Sequence, residues 1–401
     1  MSDWRTWFPF LAEPQPLSPH YLDNAATTQI VRPALDALIR AEVQLRANVH
    51  RAVHARGEAA TQALEQARTA IAAAFGVVAE EIIFTSGTTH ALNLLANGLG
   101  AGLQPGDQVV VSALEHHANL LPWQQLVRTC GIRLVAVPVD GDGTLSLTAL
   151  AQAITPRTRV VALGHASNVT GAVLDVAAVR AMSAAVGAKL VLDGAQMARH
   201  GPVDLMALGV DAYACSGHKL FGPTGIGVLW AKADLLATLP PLLVGGSMIR
   251  QVTLDSATWA DPPRRFEAGT PPIAAAIGLG AALQWLATQD HAAMLDHEAR
   301  LTQRLLEGLA QISAVRVLGP GVNGARIGVV SLEVAGAHPH DVCQILDRHG
   351  VAARGGHHCC QPLMAALDLD GTTRLSTAPY TSQADIDAAL TAIDDAVRTL
   401  T

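Results

Sequence analysis

Two short runs constrain this chain most. VVALG at residues 160–164 and KLVLD at 189–193 are apolar over almost a full strand length. A strand with one wet face alternates polar and apolar residues. An unbroken run fits a strand buried on both faces, as in a parallel sheet covered by helices. The two runs mark strands at residues 159–164 and 189–192, and further strand signals lie at 81–85, 108–112, 133–138, 212–215 and 226–230. Helical stretches fall between them at 54–75, 88–99, 121–129, 147–153 and 176–186, and Ser146 is placed to cap the fourth. This alternation predicts an α/β fold. After Pro271 the texture changes to a small-residue helix (273–287), a long amphipathic helix (291–312), a strand (327–334), a helix (340–349), an edge strand around Ala352, a strand (374–378) and a final helix (383–400). A chain of 401 residues exceeds one compact core, so two domains are expected. We divide it into an N-terminal segment (1–20), a large domain (21–283) and a smaller C-terminal α/β domain (284–401).

Composition narrows the function classes. Half of the residues are hydrophobic and 15% are charged, which excludes a disordered chain. The net charge is −7 and the basic residues form no run, which argues against nucleic-acid or anionic-membrane partners. The N-terminus lacks the pattern of a signal peptide, and no apolar stretch reaches membrane-spanning length. A cytoplasmic protein is expected. Five cysteines, without a secretion signal, predict no disulfide framework, and no CxxC pair marks a zinc site. His50 and His54 share an HxxxH spacing but lack the glutamate of a zinc-hydrolase helix, so no metal is expected.

The chemistry-bearing residues stand at strand ends. SGHKLFGPTGIG (216–227) places Lys219 after an apolar strand and before a glycine-rich turn. Desolvation there lowers the pKa of an amine and makes it nucleophilic. The plain alternative is a surface lysine on a turn. Ser216 and His218 flank it as candidate phosphate donors. Asp193, in VLDGAQ, is a carboxylate at a buried strand end, costly unless paired. It suits a pyridinium nitrogen, or the N-cap of a following helix. TSGTTHALNLL (85–95) brings a glycine turn, the Thr88 and Thr89 hydroxyls and a helix start together, a ready phosphate site. In ALEHHANLLPW (113–123) a histidine can stack on an aromatic cofactor or serve the loop. In HASNVTG (165–171), Asn168 can donate to a ring oxygen or support a turn. Convergence of a lysine, an aspartate, a histidine, an asparagine and a phosphate-ready helix start at strand ends points to one ligand site.

The segments YLDNAAT, NVHR, SGTT, EHHAN, SNVTG, DGAQ, SGHKLFGPTGIG, RFEAGTP and RGGHHC, in that order, resemble the cysteine desulfurases of the class V aminotransferase family. The likeness is greatest to the sulfur-mobilisation branch with the SufS- and CsdA-type enzymes and the bacterial selenocysteine lyases. It runs from Tyr21 to the C-terminus. It implies the type I fold of enzymes that use pyridoxal 5′-phosphate (PLP), with a mainly parallel seven-stranded sheet, in a homodimer. By motif it makes Lys219 the Schiff-base lysine, Asp193 the partner of the pyridine nitrogen and His116 the stacking ring. Gln196 and Asn168 approach the ring oxygen and the substrate, while Thr88, Thr89, Ser216 and His218 belong to the cofactor site. Thr270 is expected to reach the phosphate of the partner subunit.

RGGHHCCQPLM (354–364) adds a second chemistry. The resemblance makes Cys359 the nucleophile and Arg374 the holder of the substrate carboxylate, a contact suited to a guanidinium. His50 shapes the substrate entrance or packs its loop. The implied reaction converts L-cysteine to L-alanine and leaves a persulfide on Cys359. A small acceptor protein would take the sulfur onward, as in iron–sulfur cluster assembly. The chain departs from the family pattern at two positions. His90 stands where glutamate is common, and Cys360 where alanine is usual. Cys360 can relay sulfur, form a vicinal disulfide or simply replace alanine. L-Selenocysteine is the alternative substrate. A class V transaminase, a kynureninase-like lyase and a catalytically silent sulfur carrier are the other readings.

Overall fold

The computed structural model describes residues 4–12 and 18–401. Its centre is a seven-stranded sheet of β1 (Ile82–Thr85), β2 (Gln108–Ser112), β3 (Arg133–Val137), β4 (Thr158–Gly164), β5 (Lys189–Asp193), β6 (Ala212–Ser216) and β7 (Gly227–Ala231). The spatial order is β1-β7-β6-β5-β4-β2-β3. From β6 to β3 every pairing is parallel, whereas β7 runs antiparallel to both β6 and β1. The parallel strands are joined through helices, as such crossovers require. No helix long enough to cross over separates β6 from β7, only the turn around Lys219, and the return is antiparallel.

β2, β6 and β7 are buried at every position and β5 at all but its first, because helices cover both faces of the sheet. Helix Ile273–Ala287 packs on Ala55–Ala74 and Arg32–Gln44. The expected cap is present, with Ser146 Oγ accepting from Ala149 N, and the helix expected from residue 54 begins at Ala55 because His54 is its cap, Nδ1 accepting from Gly57 N.

A second sheet contains β8 (Val315–Val317), β9 (Val329–Val334), β10 (Arg354–Gly356) and β11 (Thr372–Ser376), antiparallel throughout in the order β8-β9-β11-β10. Leu301, Leu305, Val330, Leu332, Leu375, Ile386 and Ile393 form its apolar core with helices His291–Leu309 and Gln383–Leu400. The expected edge strand at Ala352 belongs elsewhere. Val351–Ala352 pairs in parallel with His20–Tyr21, and the edge of the small sheet is β10.

The N-terminal residues are not peripheral. Phe8 is fully buried, with its ring 4.5 Å from that of Tyr380 and 5.6 Å from those of Phe221 and Trp285. Such edge-to-face contacts add to the burial of a large apolar side chain. Phe8→Ala is therefore expected to lower stability by about 3–5 kcal/mol. Urea unfolding checks this, and an unchanged midpoint would place the segment outside the cooperative core.

Candidate active site

The site is built from the turns and loops at the strand ends. β1 points the same way as β6, so the carboxyl ends of β1, β2, β4, β5 and β6 meet on one edge of the sheet. A cavity of about 500 Å³ opens there, within the usual size of a small-molecule site. Thr88, Thr89, His116, Asn168, Asp193, Gln196, Ser216, His218, Lys219, Cys359 and Arg374 all line it. Residues nearly three hundred positions apart in the sequence thus share one wall.

At the β1 and β6 ends, Ser216 Oγ accepts from Thr88 N at 2.9 Å and pairs with Thr88 Oγ1 at 2.7 Å. This close approach depends on two glycines. Gly87 has φ +151°, and a Cβ at Gly227 would lie 2.5 Å from Gly87 Cα. The N-cap residue Gly87 has no side chain to cap the helix Thr88–Gly100, and Ser216 Oγ takes only the Thr88 N–H, so the rest of the first turn offers N–H groups and a positive dipole end to an anion.

The carboxylate of Asp193 is buried and accepts from Ala195 N at 2.9 Å. No cation lies within salt-bridge reach among the described residues, and burial raises its pKa. It is an acceptor in want of a positive partner. Lys219, half-buried at the cavity wall, has its pKa lowered to about 8. Desolvation is the main cause; Asp193 opposes it, and Arg374 and Arg199 assist it. Burial likewise holds His116 and His218 at about 4, with Lys219 the second cause in each case, so both rings are neutral near pH 7. His116 Nδ1 accepts from Ala118 N at 3.1 Å, which leaves the ring proton on Nε2.

Arg374 is 3% exposed. Its Nη1 donates to the Asn168 carbonyl at 3.0 Å and its Nη2 to Asp23 Oδ1 at 3.1 Å. Its Nε is buried and has no partner. Gln196 donates from Nε2 to the Ala25 carbonyl at 2.9 Å. Cys359 is exposed on the cavity wall, whereas Cys360 is fully buried beneath it.

Two predicted residues lie off this wall. His50 donates its backbone N–H to Thr61 Oγ1 at 2.9 Å, and its ring stands 3.7 Å from Glu65. Thr270 is exposed, just beyond a segment anchored by the buried Arg68–Glu267 pair at 2.7 and 2.9 Å.

Sequence reasoning assigned no role to Glu115, Arg354 or Asp23. Glu115 lines the cavity, accepts from Ser112 Oγ at 2.6 Å and Asn119 Nδ2 at 2.7 Å, and has its pKa raised to about 7 by burial. Its position in EHHAN, directly after a buried strand, was the available signal. Asp23 joins Arg354 to Arg374 through its two oxygens, each at 3.1 Å.

A half-buried amine of lowered pKa, a carboxylate without a salt-bridge partner, a neutral imidazole and an exposed thiol line one cavity. With the sheet order, they define an α/β enzyme that takes an aromatic, anionic ligand at its strand ends. The model of the family described as aminotransferase class-V matches residues 20–389, and the chain belongs to that family. A cysteine desulfurase of Dickeya dadantii strain 3937 is 42% identical over 389 residues, 96% of this chain and 93% of the relative. The crystal structure of the cysteine desulfurase CsdA (S-sulfonic acid) from Escherichia coli is 37% identical with a TM-score of 0.91, over 99% of this chain and 98% of that one. The apo cysteine desulfurase of Thermococcus onnurineus NA1 is 38% identical with a TM-score of 0.94, over the same shares.

The electrostatics of Lys219 can be measured. An amine attacks an aldehyde only when neutral, so Lys219 is inert below its pKa and reactive above it. In the ligand-free protein, aldehyde capture by Lys219 should rise with pH and level off above about 8. Peptide mapping after borohydride trapping reads the profile. A rate still climbing toward pH 10.5, the ordinary lysine value, would contradict the buried amine.

Proposed function

We propose that this protein is a PLP-dependent cysteine desulfurase that converts L-cysteine to L-alanine and takes the sulfur onto Cys359 as a persulfide. The observation that carries this reading is the exposed Cys359 thiol in the same cavity as Lys219, Asp193 and Arg374. A transaminase has no use for a thiol there.

PLP is the cofactor of this family, and the residues present fit it. The unpaired, buried Asp193 carboxylate suits a protonated ring nitrogen, the depressed Lys219 amine suits the aldehyde, and the uncapped helix start with Thr88, Thr89, Ser216 and His218 suits the phosphate. His116 would cover the ring face and Gln196 would stand toward the ring oxygen, while Asn168 lines the substrate side of the cavity with its side chain engaged by the Cys359 loop. When bound, PLP supplies an electron sink for a carbanion at the substrate Cα.

The protein's own groups do the rest. Arg374 receives the substrate carboxylate, for which its unpartnered Nε is a free donor. Lys219 takes the Cα proton before the C–S bond breaks and returns a proton to the substrate after it has broken. The Cys359 thiolate attacks the substrate sulfur, and an S–S bond forms as the C–S bond breaks. The electron pair of that bond stays with the substrate carbon, which takes up a proton and leaves as L-alanine.

The same reading divides the chain near residue 284, with the cofactor held by residues 21–283 and the nucleophile carried by 284–401. It pairs two copies so that Thr270, exposed in one chain, reaches the other's phosphate site, and so that His50 borders the substrate entrance. A small protein takes up the sulfur, for uses such as iron–sulfur cluster assembly in the cytoplasm. No helix among the described residues is long and apolar enough to cross a membrane.

Two variants test the assignment. Lys219→Ala should lose the visible absorbance of the lysine-bound cofactor, and an unchanged band would refute the lysine's role. Cys359→Ala should keep that band and lose sulfide release from cysteine. Full activity in Cys359→Ala with none in Cys360→Ala would move the nucleophile by one residue.

A further inference from the structure

His358 and Cys359 have φ values of +52° and +58°. Neither is glycine, and two successive L-residues in the left-handed region persist only where the surroundings hold them. Here the hold comes from two sides. His117 donates its backbone N–H to the Cys359 carbonyl at 2.8 Å, and its Nε2 accepts from Gln361 N at 3.3 Å. Opposite, Asn168 Nδ2 donates to the His358 carbonyl at 2.8 Å, while Asn168 Oδ1 accepts from the Cys360 thiol at 3.1 Å. Both ends of the Asn168 side chain are thus spent on the residues that flank Cys359. The backbone carbonyl of Asn168 also accepts from Arg374 Nη1, which ties the loop to the substrate arginine.

Cys360 itself is fully buried among Val169, Leu363 and Met364. Its thiol is pushed up to about 12, by burial first and the Glu115 carboxylate second. As a sulfur relay, its thiolate would have to attack the outer sulfur of a Cys359 persulfide and expel the Cys359 thiolate. A buried thiol that stays protonated and already donates to Asn168 is unsuited to that step.

We propose that Cys360 is a positioning residue: its thiol orients the Asn168 side chain, which locks the backbone that presents Cys359, and it carries no sulfur. The proposal rests on the reading of Cys359 as the nucleophile.

Two partial reactions separate this role from a general structural one. Exchange of the Cα proton of L-alanine with D₂O, followed by NMR, requires Lys219 and not Cys359. Persulfide formation from L-cysteine requires both. Cys360→Ala should leave exchange unchanged and slow persulfide formation about fivefold, the effect of one modest hydrogen bond. Cys360→Ser keeps a donor for Asn168 Oδ1 and should recover the rate to within about twofold of the unmodified enzyme. Peptide mass spectrometry after one turnover should find the extra sulfur on Cys359 alone. The proposal is overturned by an unaltered persulfide rate in Cys360→Ala, by an equal fall in both reactions, by a Cys360→Ser variant no faster than Cys360→Ala, or by sulfur on Cys360. If Cys359→Ala still forms sulfide, the nucleophile reading fails instead, whatever the Cys360 variants do.

Discussion

The parallel run β6-β5-β4-β2-β3 is the constraint on which the site depends. Each of these strands is left at the same edge and re-entered from the other through a helix, so the residues just past the strands collect there. Lys219, Asp193, Asn168 and His116 come from four strand ends and need no long-range coincidence to meet. The antiparallel β7 completes the arrangement. It returns directly from the lysine turn, and Gly227 brings it against Gly87, so the helix start at Thr88 and the turn at Ser216 share a hydrogen bond. One topology thereby places an anion site beside a nucleophilic amine.

Burial then sets the protonation states. The same desolvation that lowers Lys219 to about 8 raises Asp193 and holds His116 at about 4. Asp193 and Lys219 oppose these shifts in each other, but neither neighbour outweighs burial. The result is an amine close to its neutral form near pH 8, a ring that cannot compete as a cation, and a carboxylate whose ionisation is favoured by a bound cationic group. Glu115, shifted to about 7 beneath the same wall, shows the same effect, moderated by its donors Ser112 and Asn119.

The strands of the large sheet were legible because burial on both faces leaves an unbroken apolar run, and the motif residues were legible because they end those runs. Other elements lack such a pattern and are not legible in the sequence. β8 spans Val315–Val317, and the hairpin Ile249–Val252 with Ala257–Trp259 is largely exposed, so neither has an apolar run to reveal it. Phe8 contributes to the core through single contacts with Phe221, Trp285 and Tyr380, which no local periodicity announces. Asp23 takes its role from its hydrogen-bond partners Arg354 and Arg374 rather than from position. His50 and Thr270 carried recognisable motifs, yet within one chain they stand away from the cavity wall.

Asp23 shows how the N-terminal part of the chain is fastened to the small sheet at the point where chemistry requires it. It forms a parallel bridge with Ser376 and reaches Arg354 and Arg374 with its two oxygens. Two guanidinium groups on one wall would repel each other, and burying Arg374 alone would leave its charge uncompensated. One carboxylate answers both costs, and it does so from the strand segment that also places Ala25 against Gln196. Arg374 is thus held by Asp23 from the N-terminal part of the chain and by Asn168 from the end of β4, while its own strand belongs to the small sheet. Three separate segments converge on one guanidinium. Only its Nε remains without a partner, so this buried cation is fixed in orientation before any substrate arrives.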